Sequence, residues 1–248
     1  MNRFLALAGT ELRLTVRNRT AAVTGIFLPV AVGFLYTRSI PNSVPHKWAT
    51  VASLQLSVVL AMSVYISATT KLVSRRHAFV LKRWRTTELS DVDVLTATVA
   101  PNVVLGLAQL VMFAVVDVSS GMNVPNQPVA LVLALVGGLL MVMTAALVTA
   151  SIASAPERAQ IATLPLTFIL LIGATAVGVL SSVPLRAGLT LLPGISIGTV
   201  TQLAFSGDLW SPQFGGIPLA VPALIALVLW PTVFGVLAAK RFRWEQRT

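Results

Sequence analysis

Long uncharged, mostly apolar runs alternate along this chain with short clusters of charge, and the run lengths set the first expectation. A membrane-crossing helix needs about 20 mostly apolar residues. Eighteen uncharged residues lie between Arg19 and Arg38, 23 between Lys47 and Lys71, and 23 between Asp93 and Asp117. These predict spans over 20–37, 48–70 and 94–116. The run Val118–Pro156 has 39 residues, too many for one helix. It opens with Ser119, Ser120, Gly121, Asn123, Pro125, Asn126 and Gln127, which is turn chemistry, so the fourth span is expected over 128–155. Spans five and six are expected over 159–185 and 217–239, the last ending before Lys240. A further apolar run, Ala187–Gly207, is broken by Gly188, Pro193, Gly194, Gly198 and Gln202. It predicts two short helical pieces that enter the membrane edge and return, a backbone that protein or water must cover.

The first nineteen residues have a different pattern. Wound as a helix, Phe4, Leu5, Ala8, Leu12 and Val16 share one side, widened by Leu7 and Leu14, while Arg3, Arg13 and Arg17 lie opposite. That predicts an interfacial helix over 1–19 ahead of the first span. The interruptions by Glu11, Arg13 and Arg17 do not suit the compact apolar core of a cleaved signal peptide. A plain basic tail that serves topology alone is the simpler alternative.

Composition agrees with a membrane protein. Of 248 residues, 56% are hydrophobic and 10% charged, against about 25% charged in a soluble domain. Mean hydropathy is +0.85. Too few charges remain to cover a water-facing surface, which argues against a soluble enzyme, a disordered tail or a nucleic-acid-binding domain. Without cysteine, thiolate metal sites, disulfides and cysteine nucleophiles are excluded. The charges that remain set the orientation. With six spans and the N-terminus inside, 15 of the 18 Lys and Arg residues fall in cytoplasmic segments, and Arg38, Lys47 and Arg186 fall outside. This is a positive-inside pattern. A seventh span would move the basic C-terminus outside. The expected fold is therefore all-α, a single polytopic domain with six transmembrane helices, both termini in the cytoplasm, in the cell membrane.

No predicted span carries Lys, Arg, Asp, Glu or His in its middle; Asp117 stands at the outer edge of the third, and His46 and His77 fall in loops. An ion-coupled carrier generally uses an intramembrane carboxylate or a comparable site. A membrane hydrolase needs a base beside its nucleophile. The H-E-x-x-H, G-x-S-x-G and phosphate-loop patterns do not occur. The polar residues inside the spans include Gln55 and Ser63 in the second, Asn102 and Gln109 in the third, and Thr163 and Thr167 in the fifth. Each can serve as a helix–helix hydrogen bond, and as a set they are candidates to line a weakly polar path for amphipathic cargo.

The segment Lys71–Ser90, KLVSRRHAFVLKRWRTTELS, holds six basic residues. Positive-inside retention and anionic lipid account for the charge. They do not account for the apolar residues Phe79, Val80, Leu81 and Trp84 set among Arg75, Arg76, Lys82, Arg83 and Arg85. A basic face with an apolar edge suits a short helix docking in a protein groove. Ser90 with Asp93 forms a capping box, which predicts a sharp start to the third span.

This layout resembles the membrane subunit of type-2 ATP-binding-cassette exporters. Their loop between spans two and three commonly reads R-E-x-G-T-L-K-R-L-R-T-T-P-L-S. Here Arg76, Leu81–Lys82–Arg83, Arg85–Thr86–Thr87 and Leu89–Ser90 match in register, with His77, Phe79, Trp84 and Glu88 as departures. Lys240–Arg241–Phe242–Arg243–Trp244 is similar to the family's basic-aromatic ending. The resemblance implies an interfacial N-terminal helix, a coupling helix between spans two and three, and re-entrant helices between spans five and six. It implies a permease subunit that is no enzyme and binds no cofactor or metal itself. Two copies of a separate ATPase would use ATP and Mg. A second copy of the chain, or a related permease, would complete the path, in contact with membrane lipid and with no nucleic acid. Arg75, Arg76, Phe79, Leu81, Lys82, Arg83, Trp84 and Arg85 would couple the ATPase to the spans. The cargo class would be hydrophobic or amphipathic: a drug, antibiotic, lipid or glycolipid. An ATPase-independent carrier or scaffold and an intramembrane enzyme are the readings from other classes.

Overall fold

The computed structural model describes residues 26–43, 46–77, 91–179, 188–207, 210, 212–214 and 216–241. The expected interfacial helix over 1–19, the coupling residues Phe79, Leu81, Lys82, Arg83, Trp84 and Arg85, the cap residue Ser90 and the tail beyond Arg241 lie outside these residues.

The described chain is almost wholly helical. In order it forms α1 (Leu28–Ser39), α2 (Lys47–Val58), a π-helical segment (Val59–Ile66), α3 (Ser67–His77), α4 (Asp91–Ser119), α5 (Pro128–Ile152), α6 (Pro156–Val179), α7 (Pro193–Ser206) and α8 (Ala220–Arg241). Two short antiparallel strands, β1 (Pro212–Phe214) and β2 (Ile217–Pro218), precede α8. Among the described residues five helical stretches are long and apolar enough to cross a membrane: Lys47–Arg76, Asp93–Ser119, Pro128–Ile152, Pro156–Val177 and Ala220–Arg241. The chain is thus a helical protein of membrane-spanning character.

Local chemistry sets the boundaries. Proline occupies the first turn of α1, α5 and α7, where its missing N–H costs no helical bond. α4 ends in a Schellman turn: Gly121 has φ +96°, its N–H donates to the Val118 carbonyl, and the Met122 N–H donates to the Asp117 carbonyl. α7 ends at Gly207 with φ +82°, whose N–H reaches the Leu203 carbonyl. Pro101, Pro165 and Pro231 lie inside α4, α6 and α8, as membrane helices allow when neighbours support the backbone.

Several boundaries differ from the sequence expectation. The second span does not stop at 70. The helix runs on to His77, so Lys71, Arg75 and Arg76 belong to its last two turns rather than to a loop. The third helix continues past 116 and carries Asp117 in its final turn. The fourth ends at Ile152, because the next span starts already at Pro156. The sixth starts at Ala220, because Ile217–Pro218 pair with Pro212–Phe214.

The stretch α2–π–α3 is the central rod. Within its most apolar window 78% is buried, against 22% for α8. Leu60, Val64, Tyr65 and Leu72 of the rod join Met141 of α5, Leu170 of α6 and Ile197 of α7 in one core. The outer helices show two faces. On α4, Val104, Val111 and Val115 are exposed, while Asn102, Gln109, Phe113 and Asp117 are buried. These sets repeat at seven- and four-residue steps, so one side of α4 is apolar and outward and the other is inward and largely polar.

α7 is packed against α2, α5, α6 and α8. Glycine allows the tightest of these contacts. A Cβ on Gly194 would stand 2.3 Å from the Ile169 carbonyl oxygen, and one on Gly173 would stand 2.8 Å from Gly194 Cα. The backbones of α6 and α7 therefore touch, as small residues permit in membranes.

Candidate functional site

The inward face of α4 meets the central rod along a polar seam with three stations. At one end, Thr37 of α1 donates through Oγ1 to Asp117 Oδ1 at 2.8 Å. Gln55 of α2 donates through Nε2 to Thr37 Oγ1 at 3.0 Å and to the Gly33 carbonyl at 3.3 Å. All three side chains are buried, Asp117 to 1% exposure. Gly33 makes this possible by letting α1 press onto Phe113 of α4: a Cβ there would lie 2.2 Å from the ring.

Midway, Ser63 donates through Oγ to Gln109 Oε1 at 2.5 Å, and Gln109 Nε2 reaches the Ile26 carbonyl at 3.5 Å. Ser63 lies in the π-helical segment. A π turn widens the helix and frees carbonyls from the usual ladder, and such turns recur at functional positions. Ser67 Oγ donates to the Met62 carbonyl five residues back, at 3.1 Å.

At the far end, Lys71 Nζ donates to Asn102 Oδ1 at 3.0 Å. One turn further, Arg76 donates through Nη2 to the carbonyl of Ala153, in the turn joining α5 to α6. Arg76 is 5% exposed, and neither its Nε nor Asn102 Nδ2 has a partner among the described residues.

The structure thus brings four of the six candidate path residues, Gln55, Ser63, Asn102 and Gln109, onto one seam, each engaged by a neighbouring helix or backbone carbonyl. Thr163 and Thr167 lie apart on the buried side of α6. Thr163 Oγ1 donates to its own helix, at the Gln160 carbonyl, and Thr167 Oγ1 has no partner among the described residues. Of the candidate coupling residues, Arg75 is half-buried and Arg76 points inward.

Sequence reading left out Thr37 and set Asp117 aside as an edge charge. The signal was present in the spacing 102, 109, 113, 117, one helix face carrying three polar groups. Tyr65 was also passed over; its hydroxyl hydrogen-bonds Thr149 Oγ1 at 2.8 Å, tying the rod to α5. Among the described residues no cluster of His, Asp and Glu could hold a metal ion.

A recess of about 590 Å³ opens at the Asp117 end. It lies between the α1–α2 connection, the α4–α5 connection and Phe205 of α7, and its lining includes Asn42, His46, Lys47, Trp48, Asn123 and Asn126. Lys47 Nζ donates to Asn42 Oδ1 at 2.7 Å and sits 4.7 Å above the Trp48 ring. Asn126 Nδ2 donates to the Phe205 carbonyl at 2.7 Å, and Gln127 joins the end of α7 through the Ala204 and Gly207 carbonyls.

Compared with known proteins, the chain matches no family model and no curated protein.

Proposed function

We propose that this chain is the membrane-spanning permease subunit of an ATP-driven exporter, working with a second copy and with a separate ATPase. The observation that carries this reading is the basic-aromatic segment ending at Arg85–Thr86–Thr87 and Leu89–Ser90, immediately ahead of α4. Its surroundings support a relay. The segment joins the end of α3 to the start of α4, and Arg76 in the last turn of α3 grips the α5–α6 turn. A push on 78–90 would reach four long helices at once: the rod, α4, α5 and α6. ATP would bind and be hydrolysed in the partner, since this chain has no phosphate loop.

In this reading the membrane holds six spans with both termini in the cytoplasm, α1 completing the first. α7 is part of a re-entrant element between spans five and six. Its 14 residues reach about 21 Å, short of the roughly 30 Å apolar core of a bilayer. The cargo is hydrophobic or amphipathic, carried on a path that two copies form together. The buried hydrogen bonds of Gln55, Ser63 and Gln109 favour a supporting role for the seam, with the path outside one subunit.

Trp84→Ala tests the coupling segment, because it removes an aromatic anchor while every charge stays. Truncating such an anchor in a groove typically costs about 2 kcal/mol or more. The variant should insert and dimerise normally yet lose co-purification with the ATPase, or its cargo-stimulated ATP hydrolysis. Wild-type export with normal ATPase binding would refute the anchor and favour an ATPase-independent carrier. Orientation is tested by single cysteines, which this cysteine-free chain accepts without background. One near Pro125 should react with an impermeant thiol reagent on intact cells, and one near Arg243 should not.

A further inference from the structure

We infer that the recess beside Lys47 binds the anionic headgroup of a membrane phospholipid. Its volume of about 590 Å³ falls in the usual range of small-molecule sites, about 300–1,000 Å³. Among the described residues its lining includes the cation Lys47 and the imidazole of His46, and none of them is Asp or Glu. The nearby carboxyl of Asp117 is buried beneath and bonded to Thr37. Asp117 acts on the Lys47 charge from below, but the charge that the described lining presents to the recess is positive and suits an anion.

The cation is held in place rather than loose. Asn42 and the Trp48 ring fix the Lys47 ammonium, which has three N–H donors and spends one on Asn42. Among the described residues the others have no hydrogen-bond partner and can reach a phosphate oxygen. Asn123 adds an exposed amide, and Asn126, whose Nδ2 is committed to Phe205, offers Oδ1 to a headgroup hydroxyl. Val124, 78% exposed, lines the same recess and provides an apolar lip where acyl chains would begin. The position fits as well. The recess lies where the apolar stretches of α2, α4 and α5 begin or end, the level at which tryptophan and lipid headgroups meet. This assignment requires a membrane protein but does not rest on the export reading, so no ATPase is needed to test it.

The test uses the full-length chain purified in a neutral detergent and native mass spectrometry, with dioctanoyl phosphatidylglycerol against dioctanoyl phosphatidylcholine. The phosphatidylglycerol should bind about fivefold more tightly, the order expected for one well-placed cation near an anionic lipid. Lys47→Gln should erase that preference. Asn123→Ala, at an exposed position, should weaken it about twofold without disturbing the fold. Lys240→Gln, an equal loss of charge at the end of α8, should leave the preference intact. Equal binding of both lipids, or an unchanged preference in Lys47→Gln, would overturn the site. So would an equal loss in Lys240→Gln, which would reduce the effect to net charge. Displacement of the lipid by glycerol 3-phosphate at matched concentration would overturn the lipid assignment in favour of a soluble anion.

Discussion

The two end stations of the seam between the rod and α4 use buried polar groups in opposite ways. At the Gln55 end, Thr37, Gln55 and Asp117 form a closed set in which donors meet acceptors across α1, α2 and α4. At the Arg76 end, Arg76 makes a bond to Ala153 and Lys71 one to Asn102, yet Arg76 Nε and Asn102 Nδ2 find no partner among the described residues. A buried donor without an acceptor costs about 1–3 kcal/mol. The first end is therefore a fixed joint. The second retains unspent bonding capacity that another arrangement of the same helices could satisfy, and it adjoins the segment proposed to receive the ATPase.

That contrast predicts a difference between mutations that unfold and mutations that uncouple. The largest loss of stability is expected from Asp117→Leu. It strands the Thr37 hydroxyl and disturbs Gln55, at a cost of about 2 kcal/mol. The midpoint of thermal unfolding in detergent should fall by roughly 5 °C. A midpoint within error of wild type would mean that the closed set is not a joint. Arg76→Met should behave differently. Replacing a buried, half-satisfied cation with an apolar side chain of similar length is often close to neutral, so the midpoint should move by no more than about 1 kcal/mol in equivalent terms. Cargo-stimulated ATP hydrolysis should nevertheless drop severalfold if the grip on Ala153 relays motion. Large destabilisation with intact coupling would reverse the roles assigned to the two ends. The smallest effect belongs to Asn102→Leu, which gives up one interhelical bond worth about 0.6 kcal/mol while removing an unpaired amide donor. It should leave the unfolding midpoint nearly unchanged; a fall as large as that of Asp117→Leu would place a third joint at this position.

Much of this arrangement could be read in advance, because lipid permits few ways to satisfy a backbone. Uncharged runs bounded by Lys, Arg, Asp and Glu located the five long apolar helices, and the turn composition at Ser119–Gln127 located the break between α4 and α5. The errors at the second and third spans share one physical cause. Charge was treated as the end of a helix, but a helix continues through charged residues when neighbours take up their side chains. Lys71 and Arg76 found Asn102 and Ala153, so α3 runs on to His77. Asp117 found Thr37, so α4 continues to Ser119. These partners come from elements distant in sequence, and single-chain periodicity does not reveal them. The pairing of Ser63 with Gln109 was hidden for the same reason, since it depends on how a π-helical stretch rotates Ser63 toward α4. The strands before α8 left no alternating apolar pattern to detect, being only a few residues long.

The burial of α7 has a consequence for how the chain enters its membrane. Flanked by helices from both before and after it in sequence, with Ser196, Thr199 and Thr201 fully enclosed, α7 has little surface of its own to offer to lipid. A segment of that kind does not have to partition into the bilayer by itself as it leaves the ribosome. It can wait at the water boundary until α6 presents Gly173 and α8 closes over it, and then be drawn in by its neighbours. Its sequence is released from the hydrophobicity demanded of a helix that must insert alone, which is why hydroxyls, an amide and glycines can occupy one of the most enclosed stretches of the molecule.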